Sequence, residues 1–229
     1  MSLRPGTAAT TTLVAAIVVT VGNHLTAGSL SVSRTPLHVL LTISSDLAPL
    51  SRQTLISETE RIWHREQVDI DWTRPGYPVE PSEAPLRVLV VARPQSSPAG
   101  RRWPVAELIV EATPRAVAIA SIEGAERVVN EATRSGITGH TTREYQVGLV
   151  LGRAVAHEIG HFLLSTGTHA DSGLMRAIID AREFTALNGD AFRLDRDASR
   201  WLRQRRTTTL TPLTIVRERG FSYRGPAGH

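Results

Sequence analysis

From Tyr145 to Leu164 the chain runs without proline, and Val147, Leu149, Val150, Leu151, Val155, Ile159, Phe162, Leu163 and Leu164 fall on every side of the helix this stretch can form. A helix that is apolar all round has no face to give to water, so the rest of its domain has to enclose it. Thr141-Thr142-Arg143-Glu144 reads as a capping box at its start, with Thr141 as the N-cap and Glu144 at the third helical position. The far half of the same helix carries His157-Glu158-Ile159-Gly160-His161. Polar side chains enclosed in this way are costly unless each finds a partner.

Positions four apart lie one turn above each other on one helix face, so His157 and His161 can offer two imidazole nitrogens to one point. Such a pair, with a glutamate beside the first histidine, is the donor set of a catalytic zinc ion. Glu158 projects beside the pair, where a carboxylate can take a proton from a water that the cation has acidified. A tetrahedral ion needs a third protein ligand, and His169 is the candidate. On a continued helix it would lie roughly 12 Å beyond His161, so the helix has to stop. Ser165-Thr166-Gly167-Thr168 supplies the stop, with Gly167 suited to the left-handed conformation of a C-cap. Asp171 and Glu183 are carboxylate competitors for the third position, and Asp171 can alternatively orient a ligand imidazole through its other N–H. His140 reads as an exposed loop residue.

His157-Glu158-Ile159-Gly160-His161, a later histidine beyond a glycine-bearing turn, and Gly173-Leu174-Met175 together resemble the metzincin clan of zinc metallopeptidases. The resemblance implies that Met175 belongs to the turn beneath the metal, its thioether packed under the three histidines. One departure is plain. Metzincins place the third histidine six residues after the second, whereas His169 follows His161 by eight. That spacing is more similar to small, mostly uncharacterised bacterial proteins with an HEIGH-type helix. Arg176 and Ala177 follow Met175, so the tyrosine that the clan carries two residues beyond its methionine is absent.

The 229 residues suit one domain of ordinary size with extensions. With no cysteine there are no disulfides, thiolate ligands or cysteine nucleophiles, and the histidines carry the metal question alone. All 26 lysine-plus-arginine positions are arginine, and the net charge is +4. Apart from Arg203, Arg205 and Arg206 the arginines are scattered, which argues against nucleic acid as a partner. Residues 1–30 differ from the rest. Arg4 precedes an apolar run from Leu13 to Val21 and then small polar residues, the pattern of an export signal or an N-terminal anchor. The run is shorter than the roughly twenty residues of a membrane span, and no other span is expected. An exported location is expected, periplasmic or secreted, or held at the membrane by the N-terminal segment.

Strands are expected at Leu37–Ile43, Val68–Trp72, Leu86–Ala92 and, as a hairpin, Ala106–Val110 with Ala116–Ser121. Helices are expected from Asp46 to Gln67 with Pro49 near the start, from Ile122 to Asn130, from Asp180 to Leu187, and from an N-cap at Asp195 onward, the last burying Ala198, Trp201 and Leu202. Trp63 is assigned to the core and His64 to solvent. This order is an α+β arrangement, a mixed sheet packed on helices over residues 35–206, with 207–229 as a loosely packed tail. By the resemblance, an outer strand lines the cleft and pairs with an extended peptide, and Ala116–Ser121 is the expected edge.

Two functions fit. One is an exported zinc metallopeptidase acting on peptide or protein substrates, with Glu158 as general base and His157, His161 and His169 holding one zinc ion. The other is a zinc-stabilised binding domain of the same ancestry without turnover. The glutamate favours the first, because a structural site has no use for a base.

Overall fold

The computed structural model describes residues 36–44, 46–73, 86–93, 105–110, 116–134, 142–206 and 222–224. Residues 1–30, expected as a leader, and His140 lie outside them. Five strands form one sheet: β1 (Leu37–Ile43), β2 (Ile70–Thr73), β3 (Leu86–Val91), β4 (Ala106–Val110) and β5 (Ala116–Ser121). Their order is β2-β1-β3-β5-β4, parallel throughout except for β4, which runs antiparallel to β5. The fold is therefore α+β with a mixed sheet.

Alternation decides which face the helices cover. Leu86, Val88 and Val90 are buried while the residues between them are half-buried, and register places them beside Ala116, Ala118 and Ala120 of β5. The alanines leave room for a helix to come close, and α3 (Arg143–Leu164) lies across β4 and β5. Its N-cap is Thr142, whose hydroxyl accepts from the Tyr145 amide; the expected cap, Thr141, is one residue too early. α3 is long and apolar enough by composition to cross a bilayer, but it is enclosed by the fold.

The helix α1 (Pro49–Arg65) packs along α3 on a seam of small residues. A Cβ on Gly152 would stand 2.8 Å from the carbonyl oxygen of Leu55 and 2.9 Å from Glu58 Cβ, so only glycine permits this approach. Cross-bonds fix the register of the two helices: Ser51 Oγ donates to Glu144 O, Thr59 Oγ1 to Gly152 O and Trp63 Nε1 to Ala156 O. Trp63 is buried and His64 exposed, as expected. Gln67 takes φ 61°, and the Val68 amide bonds back to Trp63 O. The turn out of α1 thus uses up Val68 and Asp69, and β2 begins two residues later than expected.

α2 (Ile122–Arg134) runs one turn further than expected because Ala132 is also buried against the core. Beyond α3 come β6 (Ile178–Asp180), α4 (Ala181–Thr185), a short helical turn at Asp190–Phe192, and α5 (Arg196–Arg206). Asp195 Oδ1 accepts from the amides of Asp197 and Ala198, the expected cap of α5. Leu202 of this helix is buried. Trp201 is not: its ring lies under the Arg205 guanidinium, 4.7 Å away, on the exposed side. β7 (Ser222–Arg224) pairs in parallel with β6 inside the stretch expected as a tail, the rest of which is outside the described residues.

Candidate metal centre

α3 ends where the sequence requires, at Leu164, but the left-handed residue is Ser165 (φ 50°) and not Gly167. Two contacts stabilise serine there. The Thr166 amide bonds back to His161 O, and Arg205 donates to Ser165 Oγ. Thr166 and Thr168 then bond to each other through their hydroxyls at 2.7 Å, which tightens the turn. The chain folds back, and the Ala170 amide donates to Met175 O at 2.8 Å, closing a small loop between His169 and the Gly173-Leu174-Met175 turn. Gly173 has φ +74°, and a Cβ there would collide with Arg193 O, whose partner in the turn is the Leu174 amide at 2.7 Å.

This path brings His169 back to the helix. The ring centroids of His157 and His161 are 4.6 Å apart, those of His157 and His169 5.3 Å, and those of His161 and His169 4.9 Å. One nitrogen from each of the three lies within 4.8 Å of the others. The competitors are elsewhere. Asp171 is exposed, and Glu183 Oε1 is engaged by Arg176 at 3.0 Å.

The tautomers follow from the hydrogen bonds. His157 Nδ1 lies 2.7 Å from Leu174 O, and His161 Nδ1 lies 2.8 Å from Thr166 O. Carbonyl oxygens only accept, so both Nδ1 atoms carry the proton and, in neutral rings, both Nε2 atoms are bare lone pairs. Those two Nε2 atoms are 2.9 Å apart. Two lone pairs at that distance repel unless positive charge lies between them. A shared proton is disfavoured, because burial foremost, with its neighbour His161 adding, holds His157 well below its ordinary value, and burial pushes His161 down to about 4. A divalent cation fits. Bonds of about 2.0–2.1 Å in a tetrahedron keep ligand nitrogens roughly 3.3 Å apart, close to what the helix pair already provides.

Glu158 is completely buried on the neighbouring side of α3, and its Oε1 has no hydrogen-bond partner among the described residues. Burial, with the charge of Glu107 adding, raises its pKa to about 8, against the hydrogen bond from the Leu108 backbone. That bond locates the carboxylate at the sheet edge. Ser121 N donates to Val105 O, and with Ala106 opposite Ala120 the odd-numbered residues of β4 face β5. The backbone groups of Ala106, Leu108 and Val110 therefore turn away from β5, that of Leu108 toward Glu158, and among the described residues β4 is the edge of the sheet. The expected edge, Ala116–Ser121, is an interior strand flanked by β3 and β4. The hairpin was legible; which of its strands lies inside the sheet was not, because it is β5 that continues the parallel order by pairing with β3.

Met175, at the end of the Gly173-Leu174-Met175 turn, is buried and its sulfur lies against Gly160, where any Cβ would intrude on Sδ. Two contributions have no counterpart in the sequence reading. Arg153, fully buried one turn before His157, is one. The other is the spacing by four of Gly148, Gly152, Ala156 and Gly160, a stripe that could have been read as a close-packing seam. Compared with known proteins, the chain matches no family model, no curated protein and no solved structure.

Proposed function

We propose that this chain is a metzincin-like, zinc-dependent peptidase in which His157, His161 and His169 hold one ion and Glu158 is the general base. The observation that carries the reading is the convergence of one nitrogen each from His157, His161 and His169 within 4.8 Å of one another, with a buried carboxylate one residue after His157. Zinc bound there would supply a Lewis acid that polarises a scissile carbonyl and acidifies water.

The protein's own groups do the rest. Leu174 O and Thr166 O hold the two helical imidazoles in the tautomer whose Nε2 carries the coordinating lone pair. Near a cation the Glu158 carboxylate ionises more readily, because an opposite charge favours the charged form. Its unpartnered Oε1 can then accept a proton from water and return it to the leaving amine. The outward groups of β4 other than the Leu108 amide, which Glu158 takes, suit an extended peptide, which would add as a sixth strand with its backbone held across the centre. Residues 1–30, with their leader-like pattern, extend the reading to an exported enzyme.

Replacing Glu158 by Gln tests the mechanism. The variant is expected to keep zinc at one equivalent and to lose cleavage of an unstructured protein such as casein. Undiminished cleavage removes Glu158 from the reaction, and loss of cleavage in the wild type under the same conditions would favour the zinc-stabilised binding domain.

A further inference from the structure

Arg153 is 0 % exposed, in the mostly apolar middle of α3. Burying a guanidinium is costly unless its charge is paired and its N–H groups are all used. Here the pairing is thorough. Nε donates to Glu58 Oε1 at 2.8 Å, tying α3 to α1. Nη1 donates to Glu183 O at 3.0 Å and Phe184 O at 2.7 Å, and Nη2 to Ala186 O at 2.7 Å. The Phe192 ring lies under the guanidinium at 4.5 Å. The three carbonyls lie at the end of α4, where a helix runs short of backbone donors; Glu183 O also accepts from the Ala186 amide.

From α4 a second set of bonds leads back to the histidines. Glu183 Oε1 accepts from Arg176 Nη2 at 3.0 Å, and Arg176 Nε donates to Gly173 O at 3.2 Å. The next residue is Leu174, whose carbonyl fixes His157 Nδ1. The segment from Leu174 to Ala186 is therefore fastened to α3 twice, at His157 near its start and at Arg153 near its end. These two residues are one helical turn apart on the same face.

We propose that Arg153 is a positioning residue for the histidine centre. It anchors the far end of the segment that carries Leu174 and Met175 and, through Glu183 and Arg176, sets where Leu174 O holds the His157 ring. Glu58 neutralises the anchor but is not itself part of that path. The inference rests on the metal-centre reading above.

The test loads full-length wild type, Arg153→Lys, Arg176→Met and Glu58→Gln with cobalt(II). It records the visible d–d absorption, the cobalt affinity, and the thermal midpoint of each metal-free protein. Arg176→Met leaves the buried guanidinium in place and alters only the half-buried link, so the proposal stays open to refutation if Arg153→Lys does not fold. Arg153→Lys and Arg176→Met are expected to shift the cobalt band and weaken affinity by about 10-fold or more, the effect typical of groups that orient a ligand histidine. Glu58→Gln is expected to lower the midpoint and leave the band where it is. Wild-type band and affinity in Arg176→Met overturn the proposal, as does an equal band shift in Glu58→Gln, which would mark general loosening. A wild type that takes up no cobalt overturns the metal-centre reading itself.

Discussion

Gly160 sits on α3 between the Trp63 ring, 3.6 Å from where a Cβ would be, and the end of the Met175 side chain. In an ordinary helix interior, Gly→Ala stabilises by about 0.8–1.0 kcal/mol. Here the new methyl would lie inside contact with Met175 Sδ and 3.1 Å from Cε. Met175 is 3 % exposed, so its thioether has little room to swing away. Overpacking of this kind costs about 1–3 kcal/mol, which outweighs the propensity gain and leaves a net destabilisation of up to about 2 kcal/mol. For a chain of this size that lowers the melting temperature by roughly 2–4 °C per kcal/mol. The metal should report the same strain, because Met175 is bonded next to Leu174, whose carbonyl orients His157. An affinity loss of about 10-fold is expected. The assay is a double-mutant cycle of Gly160→Ala with Met175→Ala, read by thermal unfolding and by zinc competition against a chromophoric chelator. Removing the thioether should relieve the clash, giving a favourable coupling of about 1 kcal/mol or more between the two sites. A Gly160→Ala protein that is about 1 kcal/mol more stable than wild type with unchanged zinc affinity would refute the reasoning.

The metal-free protein should show a stability maximum near pH 6.5. Below it, His157 and His161 bind fewer protons folded than unfolded, so stability rises with pH from about 4 to 6.5; above it, Glu158 binds more protons folded than unfolded up to about pH 8, so stability falls. The fall from pH 6.5 to 8 is worth about 2 kcal/mol and should vanish in zinc-saturated protein, as denaturant unfolding across pH will show. His169→Ala should lower zinc affinity by at least 10-fold in the same competition assay, while Asp171→Asn, at an exposed position, should leave it within about twofold. Thr142→Ala removes the side-chain cap of α3 and should cost about 1 kcal/mol in urea unfolding.

The centre was legible because its residues break a pattern. Two histidines and a glutamate in a mostly apolar, buried helix require partners, and one-turn spacing states where those partners must be. The same logic applied to Arg153, a charge in the same apolar helix, and would have announced a buried ion pair. Its partner Glu58 lies 95 residues away and could not be named from spacing. Strands were legible as periodic runs. Their order was not, because alternation says which residues face the core and nothing about which neighbour a strand takes. Pattern alone therefore points to β5 as the edge, whereas among the described residues the edge is β4. The cap at Ser165 escaped because glycine is the usual left-handed residue, whereas here the Arg205 contact and the bond from Thr166 to His161 hold serine in that conformation.

The most direct test of three imidazoles gripping one ion is the zinc K-edge X-ray absorption spectrum of protein loaded with a single equivalent. Three histidine nitrogens at about 2.0–2.1 Å, one further light ligand, and loss of one imidazole in His169→Ala are the expected result. A spectrum with two imidazoles or fewer in the wild type, unchanged by His169→Ala, would contradict it.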